Sequence, residues 1–194
     1  MIRRIIYLFL ALVVCNIAYA GSKDIKLSSG NAKPIAIKDM KVRVEFDYSE
    51  CQIYDMSEKK FFDMDEYMRF RGEDWVRDFP NELKKAEDAF VEEYNDESKT
   101  SVLVDSSCSS EYTVVFRLKE FSYGKNVIMF RSDLAWGTGL VELIKTDTRE
   151  VIATYNFVKV QGKVMGGIGA LELRRESCYE HVAEALAESI NKLR

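Results

Sequence analysis

Between Tyr112 and Gln161 the chain alternates apolar and polar residues in successive runs broken by turn-forming clusters, and no other feature limits its fold as strongly. Tyr112, Val114, Phe116 and Leu118 alternate with Thr113, Arg117 and Lys119. Side chains of a strand point to opposite faces with a period of two, so this pattern marks a half-buried antiparallel strand. Tyr123-Gly124-Lys125-Asn126 predicts a turn. Val127 to Lys145 reads as one long strand or as two, with Gly137 and Gly139 at a bulge or bend. Thr146 to Glu150 predicts a hairpin loop and Val151 to Gln161 the last strand, which completes a three-strand antiparallel meander.

Earlier in the chain, Val42, Val44, Phe46 and Tyr48 alternate with Lys41, Arg43, Glu45 and Asp47 and predict a further strand. A short strand is expected over Ser101 to Asp105, before the turn-forming cluster Asp105 to Ser110. Two segments carry helical spacing instead. Trp75, Phe79, Leu83, Ala86, Phe90 and Tyr94 recur at intervals of three and four, while Glu82, Lys84, Lys85, Glu87, Asp88, Glu92 and Glu93 fill a solvated face. Pro80 fits the first turn of a helix starting near Asp78, or kinks a longer one. At the C-terminus, Ser177-Cys178-Tyr179-Glu180 reads as a capping box with Ser177 at the N-cap. Tyr179, Val182, Ala183, Leu186, Ile190 and Leu193 then form a stripe. Cys51 to Arg71 lacks a clear period and is expected to be an irregular excursion with a helical turn. Apolar stripes and a half-apolar sheet bury one another in two layers. The expected class is therefore α+β, with a mostly antiparallel sheet of about four to five strands packed on two amphipathic helices.

The first 20 residues read as a secretory signal peptide. Arg3 and Arg4 precede the apolar run Ile5 to Cys15, and Ala18-Tyr19-Ala20 before Gly21 is a small-x-small cleavage site. Cleavage between Ala20 and Gly21 is expected. Leu12-Val13-Val14-Cys15 has the shape of a lipidation box, but Val14 stands where a small residue is required, so membrane attachment follows only if Cys15 is lipidated. Residues 21–38, rich in Ser, Gly, Asn and Lys, read as a flexible leader, and 39–194 as a single domain. The expected address is exported: the periplasm, the outer membrane or the medium. Removing Arg3 and Arg4 takes the 28 basic residues to 26 against 32 acidic ones, so the net charge moves from -4 to -6. Such a balance argues against nucleic acid as a partner.

Beyond Cys15 the chain holds Cys51, Cys108 and Cys178. If the first and last strands run the same way, their C-terminal ends meet, which makes Cys51–Cys178 the preferred disulfide and leaves Cys108 free or paired elsewhere. No CxxC spacing is present, and no metal or cofactor is expected. His181 is the only histidine and has no nucleophile in view, so no catalytic residues are assigned. Asp63-Met64-Asp65-Glu66 lacks the spacing of a calcium loop and reads as solvated surface. The loop Gly162 to Gly169 lacks the order of a phosphate cradle, so Gly166 and Gly167 are candidate partner contacts ahead of an anion site. Trp136 beside Gly137-Thr138-Gly139 is either a core residue next to a bulge or part of a flat binding face.

From Val42 to Arg194 the pattern resembles a loose superfamily of Gram-negative envelope domains that includes the TolB N-terminal domain, CsgG-like lipoproteins and LpoB-like regulators. The matching parts are the helix leading to Glu111-Tyr112-Thr113-Val114-Val115, the strand Gly139 to Ile144, the turn Thr146 to Ala153, and the final helix with Ala183, Ala185 and Ala187. Arg149 stands where that turn usually carries glycine. The resemblance implies a non-catalytic domain that binds or scaffolds another envelope protein. A small-ligand or glycan-binding protein using Trp136 is the alternative, and a hydrolase with an unrecognised site comes third.

Overall fold

Apolar alternation places the strands over 41–47, 112–122, 136–145 and 151–161 where one face can be buried, and the two helical stripes supply what buries them. The computed structural model describes residues 24–124, 134–163 and 171–194. In chain order the elements are β1 (Ile25–Gly30), a single 3-10 turn (Lys33–Ile35), β2 (Lys41–Asp47), β3 (Gln52–Asp55), β4 (Lys60–Asp63), α1 (Met64–Arg71), α2 (Glu73–Glu97), β5 (Val102–Val104), β6 (Tyr112–Ser122), β7 (Trp136–Lys145), β8 (Val151–Gln161) and α3 (Leu171–Asn191). The expected signal peptide, the expected Ala20–Gly21 cleavage site, Cys15, Gly166 and Gly167 lie outside the described residues.

The α+β class is as expected, but the sheet is not. It has eight strands, in the order β1-β8-β7-β6-β2-β5, with β3 also pairing β6 and β4 pairing β3. It is mixed rather than mostly antiparallel, because β2 runs parallel to β5 and to β6, and β3 parallel to β6. Parallel neighbours need a long crossover, which the hairpin and the helices between β2 and β5 provide. There are three α-helices among the described residues rather than two. The excursion from Cys51 to Arg71 is a β3–β4 hairpin followed by α1, whose N-cap Asp63 accepts from the Glu66 backbone at 2.7 Å. The stretch expected to be a leader carries β1 and the 3-10 turn, with Ile25, Ala32 and Ile35 buried. Gly30 makes that pairing possible: its φ is +77°, and a Cβ there would come within 2.0 Å of the Ile152 carbonyl oxygen.

The helices cover one face only. Val42, Val44, Phe116, Leu143, Tyr155 and Phe157 point into a core closed by Phe90 of α2 and Tyr179 of α3. Pro80 lies inside α2, which starts seven residues earlier. Ser177 is not an N-cap: α3 begins at Leu171, and the Ser177 hydroxyl accepts from the Lys163 backbone at 2.7 Å. Arg149 takes the left-handed conformation, φ +59°, that glycine would usually supply in this turn. Among the described residues no helix is long and apolar enough to cross a membrane.

Asp55 closes the β3–β4 hairpin. Its Oδ1 accepts from the backbones of Ser57 at 2.8 Å and Glu58 at 3.1 Å, and from the Ser57 hydroxyl. Burial pushes its pKa up, but these hydrogen bonds, with Arg71 nearby, outweigh burial and hold the carboxyl below its ordinary range. Asp55→Ala orphans both amides and is expected to cost about 1–3 kcal/mol at pH 7 by urea unfolding. A carboxyl depressed in the folded state contributes fully above its unfolded pKa of about 3.9 and loses that contribution as pH falls through the folded value. The difference between wild type and variant should therefore narrow below about pH 4. An undiminished difference at pH 3 would show that the charge does not hold the hairpin.

Candidate functional site

The face of the sheet away from the helices has no covering layer among the described residues, and the register assembles an aromatic row on it. Tyr54 pairs with Phe61 across β3–β4. The β3–β6 register sets Gln52 against Glu120 and Ile53 against Phe121, and β6–β7 sets Ser122 against Trp136. Ile53 and Phe121 face the core, so Tyr54, Ser122 and Trp136 face outward. The Tyr54 ring lies 4.9 Å from Phe61 and 6.3 Å from Trp136, and Ser122, between Tyr54 and Trp136 in register, is fully buried. Trp136 and Tyr54 are half-buried, and Phe61 is exposed. Trp136 is thus not a core residue but lies half-buried on the outward face, beside the bulge.

A bulge completes the row. The β7–β8 register slips between Gly137 and Gly139, and opposite it Lys159 adopts φ +51°. Bulges re-aim side chains. Here the Lys159 backbone donates to the Thr138 hydroxyl at 3.1 Å, and the Lys159 ammonium lies 5.3 Å from the centre of the Trp136 ring. One step along the same face lies a polar row, Gln52, Glu120 and Thr138. Farther along, Arg117 bridges Glu142 at 2.8 Å and Asp47, and Arg149 reaches Glu45 at 2.8 Å. The Asp47 carboxyl is held below its ordinary range first by hydrogen bonds from Ser49 and then by Arg117.

On the opposite, helix-covered side of the same end sits a buried cation. Arg175 of α3 is 1 % exposed and lies over three rings, 4.5 Å from Phe79, 4.8 Å from Phe121 and 5.0 Å from Tyr123. It donates to the Tyr123 hydroxyl at 2.6 Å, and that hydroxyl donates to Glu82 at 2.6 Å. The Arg175 Nε is 3.4 Å from the same carboxylate. Burial works against the Arg175 charge, but Tyr123 and Glu82 offset it and hold its pKa above the ordinary value. Aromatic walls and a paired carboxylate are what a buried guanidinium requires.

The preferred Cys51–Cys178 disulfide is absent. β2 and β8 do run the same way, through β6 and β7. Yet both thiols are free and buried: Cys178 donates to the Val160 carbonyl at 3.3 Å, and burial pushes the Cys51 thiol up to about 11 and the Cys178 thiol to about 12. Cys108 is free and exposed. His181 bonds through Nδ1 to the Gln161 carbonyl at 2.7 Å and turns Nε2 toward Asp24 at 3.4 Å. No group of three or more His, Cys, Asp or Glu is placed to hold a metal among the described residues. Sequence reasoning singled out Trp136 but missed Tyr54, Phe61, Arg175 and Glu82. The available signal was the alternation of Gln52, Ile53, Tyr54 and Asp55, a run too short to read.

No family model matches the chain, and no curated protein does. Similar solved structures include the PelC dodecamer from Paraburkholderia phytofirmans, with a TM-score of 0.45 and 14% identity, covering 83% of this chain and 96% of that one. Protein XCC0632 from Xanthomonas campestris, of family DUF330, has a TM-score of 0.45 and 12% identity, covering 87% of this chain and 91% of that one.

Proposed function

We propose that the chain is a non-catalytic exported domain that binds another envelope protein by taking an extended segment of that partner along β1. One observation carries this reading: β5 and β1, the two ends of the main strand path, are treated differently. At the β5 end, Asn95 of α2 donates to the Leu103 carbonyl at 3.0 Å and accepts from the Leu103 amide at 2.7 Å, so a side chain occupies the place of a neighbouring strand. At the other end, β1 pairs only with β8 among the described strands. Its residues from Lys26 to Gly30 are exposed, Leu27 by 43%. An open edge recruits a strand through main-chain hydrogen bonds, and an exposed apolar residue adds side-chain contact. The lone histidine is engaged with the Gln161 carbonyl and Asp24, which supports the non-catalytic part of the reading.

The test is a photo-crosslinking amino acid placed at Leu27 or, as control, at Val104, with both variants expressed in the native cell. A discrete protein adduct from position 27, missing from position 104, is the expected result. Equal labelling from both positions, or no protein adduct from position 27, would overturn the reading.

A further inference from the structure

We infer that the row Phe61–Tyr54–Trp136, flanked by Gln52, Glu120 and Thr138, is a carbohydrate-binding platform for a single β-1,4-linked, gluco-configured oligosaccharide. This inference does not rest on the β1 reading and uses none of its residues.

Three features of the row carry it. The rings lie on the open face of the sheet: Phe61 is 39% exposed, and Tyr54 and Trp136 are half-buried. They are also spaced in succession, with centroids 4.9 and 6.3 Å apart, so that neighbouring sugars can each meet a ring. In a gluco-configured β-1,4 chain every ring substituent is equatorial, which leaves axial C–H bonds on both faces of each sugar. Those weakly positive hydrogens suit the negative face of an aromatic ring.

The third feature is the polar row beside the aromatic one. Sugar hydroxyls radiate from the ring edge and need partners there once water is displaced. Gln52, Glu120 and Thr138 lie two residues along their strands from Tyr54, Ser122 and Trp136, a step of roughly 6.5–7 Å. Between them they offer an amide, a carboxylate and a hydroxyl. Lys159, on a flexible stem over Trp136, supplies a donor at the far end. A purely apolar protein contact has no use for such a rail.

The tilt of the rings selects among glycans. Interplanar angles of 49° and 36° keep the three rings out of a single plane, on strands that twist relative to one another. A flat array would suit the surface of a crystalline polysaccharide, whereas a twisted one follows a single soluble chain.

Calorimetric titration of the purified protein with cellohexaose and with chitohexaose tests this. Saturable binding of at least one is expected. Tyr54→Ala and Trp136→Ala should each weaken it about tenfold or more, and Gln52→Ala by about threefold. Because Trp136 also packs on the sheet, Phe61→Ala provides an exposed variant, expected to weaken binding about threefold without moving the unfolding transition. No binding of either sugar at about 5 mM, within the millimolar range of weak ligands, would overturn the proposal, as would unchanged affinity in the folded Trp136→Ala or Phe61→Ala variants.

Discussion

Replacing Arg175 with methionine should lower the unfolding free energy by about 3–5 kcal/mol, the largest effect expected of a side-chain change here. Methionine fills similar volume and keeps contact with Phe79 and Phe121, so packing loss is a minor part. The loss comes from Glu82, which is 8% exposed and would keep a buried negative charge with the Tyr123 hydroxyl as its hydrogen-bond donor but without the guanidinium beside it. Removing one partner of a buried pair leaves the other uncompensated, whereas replacing both is often nearly neutral. The double variant Arg175→Met with Glu82→Leu should therefore recover most of the loss. What it cannot recover is the Tyr123 hydroxyl, left without either partner at a cost of about 1–3 kcal/mol. Urea unfolding of the two variants measures this directly. A single variant within 1 kcal/mol of wild type, inside the usual range for surface changes, would mean that the aromatic walls and not the ion pair hold this end of the molecule together.

The pair was hidden in the sequence for an identifiable reason. Glu82 lies three residues after Phe79 and one before Leu83, at the border of the α2 stripe. A carboxylate at such a border reads as solvated, and only the arrival of Arg175 from α3 makes it a core residue. Arg175 was in turn obscured by Ser177, whose capping-box pattern placed the helix start after both arginines. In the structure that serine accepts from the Lys163 backbone, a partner fourteen residues away that no local pattern encodes.

The legible parts were those with many repeats of one period. The strands β2, β6 and β8 show the alternation at three or more positions, and the α2 stripe recurs over six. Strands β3 and β4 have four residues each, too few to establish a period, and β1 lies in a Ser- and Gly-rich run whose strand state is set by pairing with β8. Hence the sheet came out too small and too uniformly antiparallel. The aromatic row shows the same limit. Trp136 stood out beside its glycines, but Tyr54 and Phe61 reach it only through the β3–β6–β7 register, and register between distant segments is set by tertiary packing.

Gly137 and Gly139, legible as a bulge, should respond differently to the same substitution. A Cβ on Gly139 would lie 2.1 Å from the Arg117 carbonyl oxygen and 2.7 Å from the Phe157 ring. Neither neighbour can give way cheaply. The carbonyl belongs to the β6 strand, and Phe157 is 1% exposed and stacked on Phe116 at 5.4 Å. Gly139→Ala is therefore expected at or above the upper end of overpacking costs, about 3 kcal/mol. At Gly137 the added Cβ would come 3.3 Å from the Cys178 Sγ and 3.3 Å from a terminal carbon of Leu118, both ends of side chains that can shift by a few tenths of an ångström. Gly137→Ala should cost about 1 kcal/mol or less. Thermal unfolding of the two variants side by side decides the matter, and equal losses would show that the bulge, rather than the close approach of β6, is what requires glycine. The contrast extends to binding. Thr138, between the two glycines, holds the Lys159 backbone in the bulge beside Trp136. A shift of β7 away from the Arg117 carbonyl would therefore carry the aromatic row with it, so Gly139→Ala should weaken oligosaccharide binding even at temperatures where the variant remains folded.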